Sequence, residues 1–285
     1  MSSVIAEAQS ALNNKLEKLE AEIRKLGSVL VAFSGGVDSS FLLKTAHDTL
    51  SKTGGRALGV TARSSTYPAR EFEEAVKIAG LIGAEHMVIV SEELEIDGFA
   101  ENPVNRCYFC KGELFGKLSE IAGKEGIAAV LDGANVDDLT DHRPGAKAAR
   151  ENGVRSLLIE TGFTKDDIRA LSKEMGLPTW DKPSFACLAS RFPYGTQITN
   201  EKLTMVDRAE EFLRKLGFAQ LRVRHHGEVA RIELDAAQMA KAIEPAASRL
   251  IYGKLKEIGF KYVALDIAGY RTGSMNEGMK AEKTR

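Results

Sequence analysis

Seven consecutive residues, Ser34-Gly35-Gly36-Val37-Asp38-Ser39-Ser40, place two glycines, three hydroxyls and a carboxylate between a short apolar run and a helical pattern. Two glycines let the backbone approach an anion. The amides, the Ser39 and Ser40 hydroxyls and the positive end of the following helix dipole can then hold a polyphosphate. The lysine that reaches the outer phosphates in Gly-x-x-x-x-Gly-Lys-Ser/Thr loops is missing, which argues against γ-phosphate transfer. A glycine-rich turn without a ligand is the plain alternative, and motif and context together weigh against it.

Cysteine is the second source of chemistry. Cys187 lies in Lys182-Pro183-Ser184-Phe185-Ala186-Cys187-Leu188-Ala189-Ser190-Arg191, where the cationic neighbours Lys182 and Arg191 favour the attacking thiolate. A buried structural thiol is the competing reading. Cys107 and Cys110 form a Cys-x-x-Cys pair. With one remote cysteine and no histidine at ligand spacing, the set is incomplete for structural zinc, and a redox disulfide remains open.

Further polar groups cluster elsewhere. After the fourth apolar run, Asp132-Gly133-Ala134-Asn135 leads to Asp137, Asp138 and Asp141-His142-Arg143-Pro144-Gly145. Carboxylates beside a polyphosphate can hold magnesium, so Asp38 and Asp138 are candidates for it, and Arg143 is a candidate phosphate or substrate contact. A solvated acidic loop with helix caps serves equally for any one of these residues. Strand alternation puts Arg222 and Arg224 on one face, where they can bind a substrate phosphate or simply face solvent; it sends His225 and His226 to opposite faces.

The elements that must position these groups follow from periodicity. Ile5, Leu12, Leu16, Leu19, Ile23 and Leu26 define an amphipathic first helix, expected to cap a sheet edge. Apolar runs at 29–33, 57–61, 86–90, 128–132 and 156–159 alternate with helical stretches, as a mostly parallel sheet with helices on both faces requires. Another helix is expected over 164–175, opened by Thr164 or Asp166. Beyond 183–199 come a helix (201–216), strands (221–225, 230–234), a helix (237–258) and a strand (262–267), a small α+β domain. The expected division is 1–182, a junction 183–198 carrying Cys187, 199–275 and a tail 276–285. The chain of 285 residues is 44% hydrophobic, enough to build real cores, and its net charge of -1 argues against a broad electrostatic grip on nucleic acid. No apolar stretch approaches a bilayer span and no signal-peptide pattern opens the chain, so the expectation is a cytoplasmic protein with a small-molecule partner and no membrane.

The Ser34–Ser40 segment resembles the PP-loop of the adenine nucleotide alpha-hydrolase superfamily, whose members split ATP between the α and β phosphates. That resemblance points to Thr61, Ala62 and Arg63 for adenine. Together with the 141–145 run, the 164–177 helix and the Cys187 segment, the loop makes nearly the whole chain resemble the LarE family of ATP-dependent sulfur transferases. The resemblance implies adenylylation of a pyridinium mononucleotide carboxylate, loss of pyrophosphate and formation of a thiocarboxylate for the nickel-pincer nucleotide. In one branch the cysteine matching Cys187 sacrifices its sulfur and becomes dehydroalanine. Three cysteines resemble the other branch, in which Cys107, Cys110 and Cys187 hold a 4Fe-4S cluster whose free iron carries sulfide supplied by sulfide itself or a sulfur-donor protein. The resemblance also implies Arg222 and Arg224 on the substrate phosphate, Glu210 and Glu233 as metal-associated acids at subunit contacts, and a homo-oligomer. Three other functions stay open: an ammonia-adding synthetase, which needs no junction cysteine; a tRNA thiolation enzyme, which calls for a basic surface; and a nucleotide-binding regulator, which a pyrophosphate-release assay would separate.

Overall fold

A computed structural model describes residues 2–140, 144–183 and 185–271. The chain forms two compact units: residues up to Ile96 with Asn105–Phe185, and Asp97–Val104 with the chain from Ala186 onward.

The first unit runs α1 (Ser2–Leu26), β1 (Ser28–Ala32), α2 (Val37–Leu50), β2 (Arg56–Arg63), α3 (Ala69–Ile82), β3 (Glu85–Val90), α4 (Arg106–Glu125), β4 (Ala129–Leu131), α5 (Pro144–Glu151), α6 (Leu157–Glu160) and α7 (Lys165–Glu174). All four strands are parallel, in the order β3-β2-β1-β4. Successive residues of β1 serve opposite faces: Val29 and Val31 join α1, α2, α3, α6 and α7 in one core, and Leu30 joins α4 and α5 in the other. The fold is therefore the α/β arrangement expected, with a mostly parallel sheet covered on both faces. The chain leaves β1 toward β2 and β3, then returns to the other side of β1 as β4. That reversal opens a crevice at the carboxyl ends of β1 and β4, where sheets of this kind receive ligands.

Two expectations for this unit need correction. α1 does not cap an edge: Leu12, Leu19 and Ile23 are buried in the core that holds Val29 and Val31 of the interior strand β1. Its apolar stripe is wide enough to demand a face, which an edge strand cannot supply. Residues 156–159 form no strand; one parallel bridge, Leu131 to Arg155, precedes the short helix α6. Leu157 and Leu158 are both fully buried, and an unalternating apolar run reads the same in a buried strand and a buried turn. Thr164 caps α7 in a reciprocal box with Asp167.

The second unit contains α8 (Asn200–Lys215), β5 (Leu221–His226), β6 (Val229–Leu234), α9 (Met239–Ile243), α10 (Pro245–Ile258) and β7 (Tyr262–Leu265). β5 and β6 form an antiparallel hairpin whose two-residue turn starts with Gly227 at φ 63°, and β7 adds parallel to β6. The helix expected over 237–258 is broken because Glu244, just before Pro245, adopts ψ 139°. Asn102 ties the 97–104 segment into this unit: its carbonyl accepts Gly195 N–H at 2.9 Å and its Nδ2 donates to Pro193 O at 2.7 Å. Among the described residues no helix is long and apolar enough to cross a membrane.

Candidate active site

The Gly35 backbone sits at φ 64°, and a Cβ there would come within 2.7 Å of Ala75 Cα, so only glycine lets the loop pack this tightly on α3. Gly36 precedes the first turn of α2 without a side-chain cap, which leaves that turn's amides to face the crevice. The Ser39 hydroxyl accepts Ser34 N–H at 3.2 Å, lies 3.1 Å from Ser34 Oγ and donates to Gly36 O at 3.3 Å. Ser39 thus holds the loop's curvature. Val37 and Ser40 are buried against the core, so of the Ser39 and Ser40 hydroxyls expected to meet phosphate, that of Ser40 is enclosed without a hydrogen-bond partner among the described residues. Tyr67 donates its hydroxyl to Ser34 O at 2.6 Å, and burial together with Glu71 and Glu74 pushes its pKa up.

The carboxyl end of β4 closes the other side. A Cβ at Gly133 would stand 3.1 Å from Ser39 N, so the two loops meet backbone to backbone. Asp38 Oδ1 accepts Asn135 Nδ2 at 3.3 Å, and its Oδ2 pairs with the Lys165 ammonium. Asp138 Oδ2 accepts Asn135 N–H at 3.1 Å, so this magnesium candidate caps the turn it stands in. Asp137 Oδ2 accepts Lys165 N–H at 2.6 Å, while Asp132 is buried enough that its carboxyl is pushed up. Lys182, expected to act on the Cys187 thiol, instead joins the loop to α3: its ammonium lies 2.9 Å from Glu71, 3.0 Å from Glu74 and 3.3 Å from Gly35 O.

At the end of β2, Thr61 donates to Phe33 O at 2.9 Å and shares a 2.9 Å hydrogen bond with His86 Nε2. Ala62 is half-buried, and Arg63 is exposed, its guanidinium 5.8 Å from the Phe72 ring centre. Asp141, His142 and Arg143 lie outside the described residues. Pro144 and Gly145 open α5 against α4, where a Cβ at Gly145 would meet Lys111 Cγ at 2.8 Å and Cys107 O at 3.5 Å.

Cys107 and Cys110 stand one turn apart at the start of α4, the first exposed and the second half-buried. Cys110 Sγ donates to Glu93 Oε1 at 3.9 Å, and burial pushes the Glu93 carboxyl up. No disulfide joins the three cysteines. One-turn spacing lets the Cys107 and Cys110 thiols serve as two ligands of one metal or cluster. Among the described residues no three His, Cys, Asp or Glu side chains are gathered as a metal-holding group.

In the second unit Cys187 precedes the turn Leu188–Arg191. Arg191 follows it and is completely buried, its Nη1 donating to Ala186 O at 2.6 Å and Cys187 O at 3.1 Å. Its Nε and Nη2 grip Glu210 Oε1 and Oε2 at 2.8 and 3.0 Å. Glu210 also accepts Val223 N–H at 3.1 Å and Arg214 Nη2 at 2.9 Å, and these cations hold its carboxyl at about 2 against full burial. Glu233 accepts Arg224 at 2.7 Å and Arg231 at 2.9 Å. Both acids expected at a metal are therefore bound by arginine here. Arg224 is buried and also donates to Ser190 O at 3.0 Å. Arg222 is half-buried, its guanidinium 5.2 Å from the Tyr270 ring centre, and burial followed by the Arg191 charge pushes its pKa down. Among the described residues, Arg191, Arg214, Arg222, Arg224, Arg231 and Arg271 thus outnumber Glu210, Glu233 and Asp266 in this linked set, six cations to three anions. Such an excess favours a bound anion.

Pyridinium-3,5-bisthiocarboxylic acid mononucleotide synthase of Lactiplantibacillus plantarum is 40% identical over 94% of this chain and 96% of its own length. The chain belongs to the LarE family. Similarity of the same extent links it to two uncharacterised proteins, one of Synechocystis at 43% identity over 93% of this chain and 98% of its own length, and one of Methanocaldococcus jannaschii at 30% over 90% and 98%. No protein-family model matches the chain.

Within this LarE-family chain, sequence reasoning missed Lys165, Asn135 and Tyr67 at the loop, and the structural use of Arg191. Asn135 was readable only as part of a polar run. Lys165 opens a helix 127 positions from Asp38, and no local pattern signals that meeting.

Proposed function

We propose that this protein is an ATP-dependent sulfur transferase that converts a carboxylate of a pyridinium mononucleotide to a thiocarboxylate. The observation that supports the reading is the uncapped first turn of α2, behind a glycine that only close packing explains, with Asp38 of that same turn accepting a hydrogen bond from Asn135 beyond the carboxyl end of β4. Magnesium arrives with ATP as substrate, and Asp38 is the carboxylate on the loop placed to meet it. The loop amides stabilise the charge that grows on the β and γ phosphates as the substrate carboxylate attacks the α phosphorus and pyrophosphate leaves. Ala62 and Arg63 flank the adenine, and Arg143 is a further phosphate contact. A sulfur nucleophile then adds to the acyl carbon of the adenylate, and AMP leaves with the bonding electrons.

The arginine excess of the second unit supports an anionic substrate, with Arg222 the more open of the Arg222–Arg224 pair. Cys107, Cys110 and Cys187 are the three thiolates for a 4Fe-4S cluster, which when bound supplies an iron able to carry an added sulfide. Ile243, Leu250, Tyr252 and Ile267 are exposed in the same unit and support self-association.

Asp38→Ala should lower substrate-dependent pyrophosphate release by about 10²–10³-fold with the fold intact by circular dichroism. Release of ADP and orthophosphate by the unaltered protein would overturn the reading.

A further inference from the structure

The glycine-rich loop contains no lysine, yet two lysines from outside it reach it, and their surroundings differ. Lys182 is largely buried between the carboxylates of Glu71 and Glu74 and the carbonyl of Gly35. Glu71, which Arg70 also holds, and Glu74 both engage the Lys182 ammonium along with the Gly35 carbonyl, so it fastens the loop to α3. Lys165 is partly exposed, and its ammonium meets one carboxylate, Asp38 Oδ2, in the first turn of α2. Its backbone is fixed independently: the N–H is held by Asp137, and the Thr164–Asp167 box sets the start of α7. A fixed root with a four-carbon flexible stem lets the ammonium swing between Asp38 and any oxygen within a few ångströms of it.

We infer that Lys165 is the catalytic cation of the pyrophosphate subsite, supplying from the start of α7 the positive charge that the loop does not encode. The inference rests on the ATP reading above and deepens it. Magnesium drawing on the Asp38 carboxylate releases the ammonium, which moves to a β- or γ-phosphate oxygen and stabilises the charge that develops as the bond to the α phosphorus breaks. Asp38 then has two linked duties, and the salt bridge keeps Lys165 at the crevice. No bond to Lys165 forms or breaks.

Binding of Mg·ATP, magnesium pyrophosphate and AMP to the full chain, measured by calorimetry, tests this with Lys165→Met, Lys165→Arg and Lys182→Met. Lys165→Met should weaken magnesium pyrophosphate and Mg·ATP by about 10-fold or more and leave AMP within about twofold, because AMP lacks the phosphates concerned. Lys165→Arg should recover most of the loss. Lys182→Met should lower the melting temperature. It should also weaken all three ligands together, since it loosens the loop. Equal pyrophosphate binding by wild type and Lys165→Met overturns the inference and leaves the ATP reading standing. A wild-type protein that binds none of the three ligands removes the ATP reading itself, and this inference with it.

Discussion

Replacing Cys187 with alanine is expected to abolish thiocarboxylate formation while substrate-dependent pyrophosphate release persists within about twofold, because adenylylation and sulfur delivery use different residues. The proposed site of adenylylation is the crevice between β1 and β4, and the Cys187 backbone is held by Arg191 in the second unit. Cys107→Ala and Cys110→Ala distinguish the two sulfur sources. With three thiolates on one cluster, each variant loses iron and the broad visible absorption and stops making thiocarboxylate. With Cys187 as a sacrificial donor, both variants remain active, product stops at one sulfur per chain, and intact-mass analysis shows the loss of one H₂S from Cys187. Many products per chain with Cys187 chemically unchanged favours the cluster, because sacrifice gives Cys107 and Cys110 no part to play.

The second large effect is structural. Arg191→Met should destabilise the protein by about 3–5 kcal/mol, since it leaves Glu210 fully buried beside a lost partner. Glu210→Gln should cost a similar amount and change the acid profile. The Glu210 carboxyl lies well below its ordinary 4.5 in the folded chain, so its stabilisation is complete above pH 4.5 and is lost as the pH falls toward about 2. Denaturant melts between those values should show a shallower acid slope for Glu210→Gln than for wild type; parallel slopes would contradict the pairing. The double variant Arg191→Met/Glu210→Leu should regain much of the stability, because a well-packed apolar pair often replaces a buried ion pair at little loss. It should not regain sulfur transfer, since the Ala186 and Cys187 carbonyls lose the guanidinium that joins them, although Ser190 N–H still reaches Cys187 O.

Local signals carried the sequence reading far. The glycine-rich loop, the Thr164 cap and the hairpin strands are written in adjacent residues, so glycine spacing, a cap residue and alternation locate them. The same logic failed at Leu157 and Leu158, where two buried leucines read equally as strand or turn. It also failed for side chains whose partners are distant in sequence. Lys182 beside Cys187 pointed to a thiolate-stabilising cation, but its partners Glu71 and Glu74 lie on α3. Arg191, four residues from Cys187, proved to bind that residue's carbonyl and Glu210, because a guanidinium with five donors can satisfy backbone and carboxylate at once when it is buried. Glu210 and Glu233 read as open acids until the arginines surrounding them were placed.

The most direct test is an anaerobic reaction of the full chain with ATP, magnesium, excess sulfide and a pyridinium dicarboxylate mononucleotide, with pyrophosphate, AMP and thiocarboxylate quantified in the same samples. ATP-driven sulfur transfer predicts that the three products appear in equal amounts and depend on the pyridinium substrate. Thiocarboxylate formed without pyrophosphate, or ATP consumed to ADP, would contradict it.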